Sequence, residues 1–348
     1  MSATPQDRRS NNFDLLRLIA AWLVLFSHSY PLSGNPQADP FARTVGIDTL
    51  GGLGVAIFFV ISGYLVTQSR ARSRSIGEFV VKRSLRIFPA LIALTVLSAL
   101  VLGPTLTTLP LAEYLRHEQT YQYLKTASAW SIHYSLPGVF ANNPAGSAIN
   151  GSLWSLPYEI RCYLALIVLW FVPLPKRWFA LAVAITLFAL LCARPTVPPA
   201  LPFDKFLGAD FYTVKLGLYF SMGAAFYLWK DIVRPSFWLG AVFIASALWL
   251  AHSNLQAALF AIGFATITLA LGVGFNAIPK LPDKMGDWSY GLYLYGFPVQ
   301  QTLAFMGLNS AGIVTYTAVC TIVSLLLAGL SWFLVEKPVV EWWRKSRG

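Results

Sequence analysis

The chain has 348 residues, of which 56% are hydrophobic and only 12% charged, with a net charge of +11. Soluble globular domains carry about 25% charged residues, so a deficit that runs from end to end excludes an aqueous fold and describes one membrane domain, residues 1–348. The basic surplus is what cytoplasmic loops of a membrane protein collect, and it calls for no nucleic-acid partner.

Residues 1–12 are polar and the apolar run behind them has spanning length, so no cleavable leader is expected. A helix needs roughly 20 apolar residues to cross the hydrocarbon core. The sequence predicts spans near 13–32, 50–68, 84–103, 157–172, 178–193, 212–230, 236–251, 255–274, 289–307 and 312–335. The fold class is therefore all-α, a polytopic transmembrane helix bundle of about ten spans. With the N-terminus inside, 18 of the 26 Lys and Arg lie on the cytoplasmic side and 6 on the other, with Arg17 and Arg161 inside spans. This bias places both the N- and C-termini in the cytoplasm. The connection near 104–156 is too long for a simple connector and has no run of spanning length. It is rich in Tyr and Trp, among them Tyr114, Tyr121, Trp130 and Trp154, and short interfacial or re-entrant helices are expected there.

Ionisable residues inside a span are expensive and point to function. The first span holds Asp14, Arg17 and His28. Arg17 and His28 are separated by about three helical turns, so they share one face roughly 16 Å apart. Asp14 and Arg17 stand at i, i+3 and can pair. One face thus carries a cation at the cytoplasmic end and an imidazole deep within, as a lined tunnel would; the alternatives are a snorkelling Arg17 and an interfacial His28. The fourth span opens at Pro157, which puts Glu159 in its first turn at about the depth of His28. A carboxylate there would fix the tautomer of an imidazole; otherwise it pairs with Arg161 or the helix dipole.

The segment 69–86 holds Arg70, Arg72, Arg74, Lys82, Arg83 and Arg86, more cations than topology alone requires. Guanidinium groups bind phosphate in a bidentate way, and Arg83 and Arg86, at i, i+3, point the same way. Glycines 51, 52, 54 and 63 suit close helix packing. Cys162, Cys192 and Cys320 sit in apolar stretches with no metal-ligand or disulfide spacing, so no metal is expected.

Several segments together resemble the membrane acyltransferase-3 family. They are the stretch Asn12–Ala21 with Arg17 and His28, Phe58–Tyr64, Arg83–Pro89, Ser152–Glu159, Ser289–Leu294 and Glu336–Pro338. They follow the family's order across nearly the whole chain. Members O-acylate cell-surface glycans from acyl-CoA, and some act on antibiotics or lipids. The resemblance implies that His28 is catalytic and that Arg17, Arg83 and Arg86 serve the donor; Glu159 would orient His28. Asp14, Trp154 and Tyr290 support the site. One departure is Gly296, where members often carry His. The fused hydrolase-like domain of some members is not expected.

The reaction implied is O-acetyl transfer from cytoplasmic acetyl-CoA to a hydroxyl of a cell-surface or lipid-linked polysaccharide, at the inner (cytoplasmic) membrane. Neutral His28 would take the acceptor's proton; an acetyl-histidine route is a second possibility. Partners are the glycan acceptor and membrane lipid, with polysaccharide-assembly proteins if the enzyme does not act alone. Aromatics of 104–156 either stack on sugars or form an interfacial belt. The competing class is a membrane transporter using the buried charges as a relay.

Overall fold

The computed structural model describes residues 12–193, 210–274 and 286–346. Each of the ten apolar runs falls on a helix. These are α1 (Phe13–Leu32), α2 (Leu50–Arg72), α3 (Ile76–Leu106), α4 (Gly151–Phe171), α5 (Lys176–Ala193), α6 (Phe211–Trp229), α7 (Phe237–Trp249), α8 (Gln256–Gly274), α9 (Ser289–Phe305) and α10 (Ile313–Lys345). Among the described residues there is no β-strand, only an isolated bridge between Ser135 and Ala148. Among the described residues, seven helices, α1 to α5, α8 and α10, are long and apolar enough to cross a membrane. The chain is accordingly a multi-pass membrane protein. Helix α9 is apolar for another reason: Ser289 through Gln301 are all buried in protein, so its tyrosines and glutamines can face inward. The ends 1–11 and 347–348, on which the orientation of the termini depends, lie outside the described residues.

The basic segment 69–86 differs from the loop that hydropathy suggests. Helix α2 runs on to Arg72 and α3 starts at Ile76, well before the apolar run. The start is dictated by capping. Ser75 Oγ accepts from Glu78 N at 3.1 Å, the bond of an N-cap serine, and Glu78 Oε2 accepts from Arg74 N at 2.8 Å. Charged helix ends extend past the bilayer core, where a window tuned to apolar residues cannot see them.

The described residues fall into two compact units, interleaved along the chain. The first draws on Met1–Arg17, Ala56–Phe79 and Tyr158–Lys280. Its α2 and α6 meet through glycines: a Cβ at Gly63 would strike the Phe220 carbonyl, and one at Gly223 the Val60 carbonyl. Bare backbones let helices approach this closely in lipid. The ring of Phe13 lies against Gly272 of α8, and Asn12 N donates to the Gly272 carbonyl at 2.9 Å.

The second unit draws on Leu18–Val55, Val80–Pro157 and Leu281–Gly348. Here Gly54 of α2 faces the Ala20 carbonyl of α1. The 104–156 segment forms the short helices Leu111–Arg116 and Glu118–Leu124, as expected. It has a core of its own, built from Ala99, Tyr114, Tyr123, Leu136, Val139, Phe140 and Ile149. The Tyr114 hydroxyl donates to the Ala99 carbonyl at 2.7 Å, inside a π-helical turn of α3. Burial pushes the Tyr114 phenol up to about 12, against a smaller opposing effect of Thr120.

Candidate active site

In the second unit the site begins with a proline. Pro298 has no N–H, so the carbonyl four residues earlier in α9 loses its helical partner. That carbonyl, of Leu294, accepts from Asn150 Nδ2 at 2.7 Å. Asn150 also caps the turn that opens α4, its Oδ1 accepting from Ser152 N at 3.1 Å. Gly151 lets the turn lie flat on α9, since a Cβ there would sit 2.8 Å from the Phe297 ring. The Tyr293 hydroxyl reaches the Ser152 carbonyl and lies 2.8 Å from Ser155 Oγ. Ser152 is thereby fixed at both backbone ends and buried.

His28 lies against this turn. Its Nδ1 is 3.4 Å from Ser152 Oγ, and its ring meets Phe297 edge-on at 5.1 Å between centroids. The neighbours of His28 on α1 are held as firmly. Gln300 Nε2 donates to the Leu25 carbonyl and to Ser29 Oγ, each at 2.8 Å. Ser27 Oγ donates to the buried Asp39 at 2.6 Å. The imidazole is half-buried and has a hydroxyl partner. Trp154 is half-buried in the same turn. Gly296 faces α1: a Cβ there would lie 3.4 Å from Leu25 Cδ1, about one turn from His28.

The arginines of this unit differ from each other. Arg83 is half-buried on α3. Arg86 Nη2 donates to Asp287 at 2.7 Å, and its Nη1 is 3.8 Å from Glu336. Tyr290 is buried; its ring lies 5.3 Å from the Arg86 guanidinium and its hydroxyl donates to the Ile87 carbonyl at 3.0 Å.

In the first unit, Arg17 pairs with Asp14 as the i, i+3 spacing predicts. Glu159 accepts from the Tyr163 hydroxyl and, at 3.4 Å, from Ser62 Oγ. Arg70 stacks over Trp170 at 5.1 Å. Among the described residues no cluster of three His, Cys, Asp or Glu suits a metal ion.

The family model described as an acyltransferase domain matches residues 10–333. The chain belongs to the acyltransferase-3 family. It is 32% identical to the O-acetyl transferase of Shigella phage Sf6 over 335 residues, covering 94% of this chain and 96% of that protein. It is 34% identical to Nodulation protein 10 of Rhizobium leguminosarum bv. viciae over 354 residues, covering 95% and 93%. Acyltransferase MdmB of Streptomyces mycarofaciens is 23% identical over 315 residues, covering 82% and 77%. No solved structure matches. As a member of the acyltransferase-3 family the protein is an enzyme, and its reaction class is O-acyl transfer.

Sequence reading names His28, Arg17 and Arg86 as candidates and assigns no role to Ser152, Asn150, Asp287 or Glu336. Ser152 and Asn150 stand in the Asn-Gly-Ser stretch ahead of Pro157, where an N-cap signal is readable. The freed carbonyl before Pro298 is the other signal. Neither tells which distant residue it meets.

Proposed function

We propose that the protein is an inner-membrane O-acetyltransferase of about ten spans that moves an acetyl group from cytoplasmic acetyl-CoA to a hydroxyl of a cell-surface or lipid-linked polysaccharide. The observation that carries this reading is the imidazole of His28, set against Ser152 by a turn tied to α9. In this reading Nδ1–H donates to Ser152 Oγ, which leaves the lone pair of Nε2 free to take the proton of the acceptor hydroxyl. The hydroxyl oxygen would then attack the thioester carbonyl carbon, the C–S bond would break, and coenzyme A would leave as the thiol with the proton returned from Nε2. Glu159, which accepts from Tyr163 and Ser62, is the second residue assigned to the reaction.

The donor, when bound, supplies the activated acetyl thioester. Its nucleotide end is a polyanion, and guanidinium groups are the matching chemistry. Arg17, which pairs with Asp14, and Arg83 offer such groups. The aromatic 104–156 segment offers faces for sugar rings: Tyr121 and Trp130 are exposed. The name of the phage relative supports O-acetyl transfer, and that of the Streptomyces relative supports acyl transfer more generally.

The test is transfer itself. Purified protein in detergent, given acetyl-labelled acetyl-CoA and surface polysaccharide from its host, should leave alkali-labile label on the glycan. Label that stays on acetyl-CoA with every polysaccharide and lipid-linked fraction offered would refute the reading.

A further inference from the structure

Arg86 sits at the meeting point of three helices of one unit. Beyond Asp287 at 2.7 Å and Glu336 at 3.8 Å, both carboxylates have further ties. Asp287 Oδ1 accepts from Ser289 N at 3.2 Å and from Ser289 Oγ at 2.5 Å, which caps the start of α9. Glu336 is buried and accepts from Ser331 Oγ at 3.2 Å within the π-helical turn of α10. Tyr290 closes the cluster by bonding to the α3 backbone. One guanidinium thus faces two carboxylates. It presents no net positive charge, and an arriving phosphate would have to displace an acid from it. Arg86 and Asp287 are half-buried and Glu336 is buried; deleting one partner of such a pair strands the others, whereas neutralising all of them together is tolerated far better.

We infer that Arg86 is a positioning residue, locking the start of α9 to α3 and to the end of α10, and is not a ligand of the donor's phosphates. Helix α9 carries Tyr293 and Phe297, which hold Ser152 and touch His28. The lock therefore sets the register of the imidazole, and its loss lowers turnover while leaving donor affinity. The effect on turnover rests on His28 being the base; the assignment to α9 does not.

The experiment uses full-length protein in detergent and coenzyme A itself as the probe. Arg86→Met alone should lose folded yield or thermal stability. The neutral triple variant Arg86→Met, Asp287→Asn, Glu336→Gln should recover folded yield and bind coenzyme A within about threefold of the parent. A folded triple variant that binds coenzyme A about tenfold or more weakly overturns the proposal. Should the triple variant fail to fold, Asp287→Asn with Glu336→Gln, keeping Arg86, decides. A lower thermal midpoint, with unchanged coenzyme A affinity and a reduced transfer rate at unchanged KM for acetyl-CoA, supports the lock. An unchanged midpoint, or binding tightened about tenfold by the freed arginine, refutes it. If His28→Ala retained activity, the catalytic reading would fail while these binding and stability outcomes still judged Arg86.

Discussion

A neutral imidazole acts as a base only through the nitrogen that lacks a proton, so the partner of the other nitrogen decides how it works. For His28 that partner is Ser152. Ser152→Ala should lower the transfer rate about 10- to 100-fold with little change in the KM for acetyl-CoA, measured by steady-state release of free thiol. An increase in KM alone would instead mark Ser152 as a donor contact. Glu159→Gln, which keeps the bonding shape beside Tyr163 and Ser62 but removes the charge, should lower the rate without altering stability; normal turnover would remove Glu159 from the reaction. At this scale the sequence was readable where charge made it so. Asp14, Arg17 and His28 stand out in an apolar helix because ionisable groups there are costly. Ser152 does not stand out, because serine is common in membrane helices and its partner lies 124 residues away. The Asp14–Arg17 pair was legible from spacing alone, whereas the acids facing Arg86 come from segments remote in sequence.

Helix α9 shows how one element organises the site. Pro298 opens its hydrogen-bond ladder, and Asn150 fills the gap at Leu294. Asn150→Ala leaves that buried carbonyl without its donor and should cost about 1–3 kcal/mol, read as a lower thermal midpoint in detergent together with a slower transfer rate. A variant as stable as the parent would mean that the turn is held elsewhere. The small core of the 104–156 segment makes a separate prediction. Burial holds the Tyr114 and Tyr123 phenols at about 12, above the ordinary value of 10.0. Their neutral forms favour the folded state, so this contribution is fully present below pH 10 and is lost as pH rises toward 12. Ultraviolet titration should find these two tyrosines ionising after the exposed ones, with loosening of the segment; their ionisation along with exposed tyrosines would contradict the packing. Helices α1 to α10 were legible as apolar runs, and α1 in its bounds as well, but the start of α3 was not. Ile76 starts α3 because Ser75 caps it, and that residue carries no hydropathy signal. The short helices of 104–156 were legible only as a class, since their positions are set by contacts such as Tyr114 with Ala99.

For the whole molecule, the charge asymmetry predicts sidedness. It predicts that Leu174, between α4 and α5, faces the cytoplasm and that Tyr121, in the aromatic segment, faces away from it; both are exposed. With the native cysteines replaced, Tyr121→Cys should react with a membrane-impermeant maleimide in intact cells or spheroplasts, and Leu174→Cys only after lysis. The reverse pattern would put the proposed donor site on the wrong face. Interleaving explains why the chain's two units escaped sequence reading: α1, α2, α3 and α4 each contribute residues to both, so no composition shift marks a boundary. The central claim is that the imidazole of residue 28 takes the acceptor's proton. It is tested most directly by single-turnover transfer of labelled acetyl from acetyl-CoA to the host polysaccharide, comparing the parent with His28→Ala at matched folded yield and coenzyme A affinity. The account predicts a rate lowered at least about 100-fold with donor binding intact; transfer by the variant within a few-fold of the parent would contradict it.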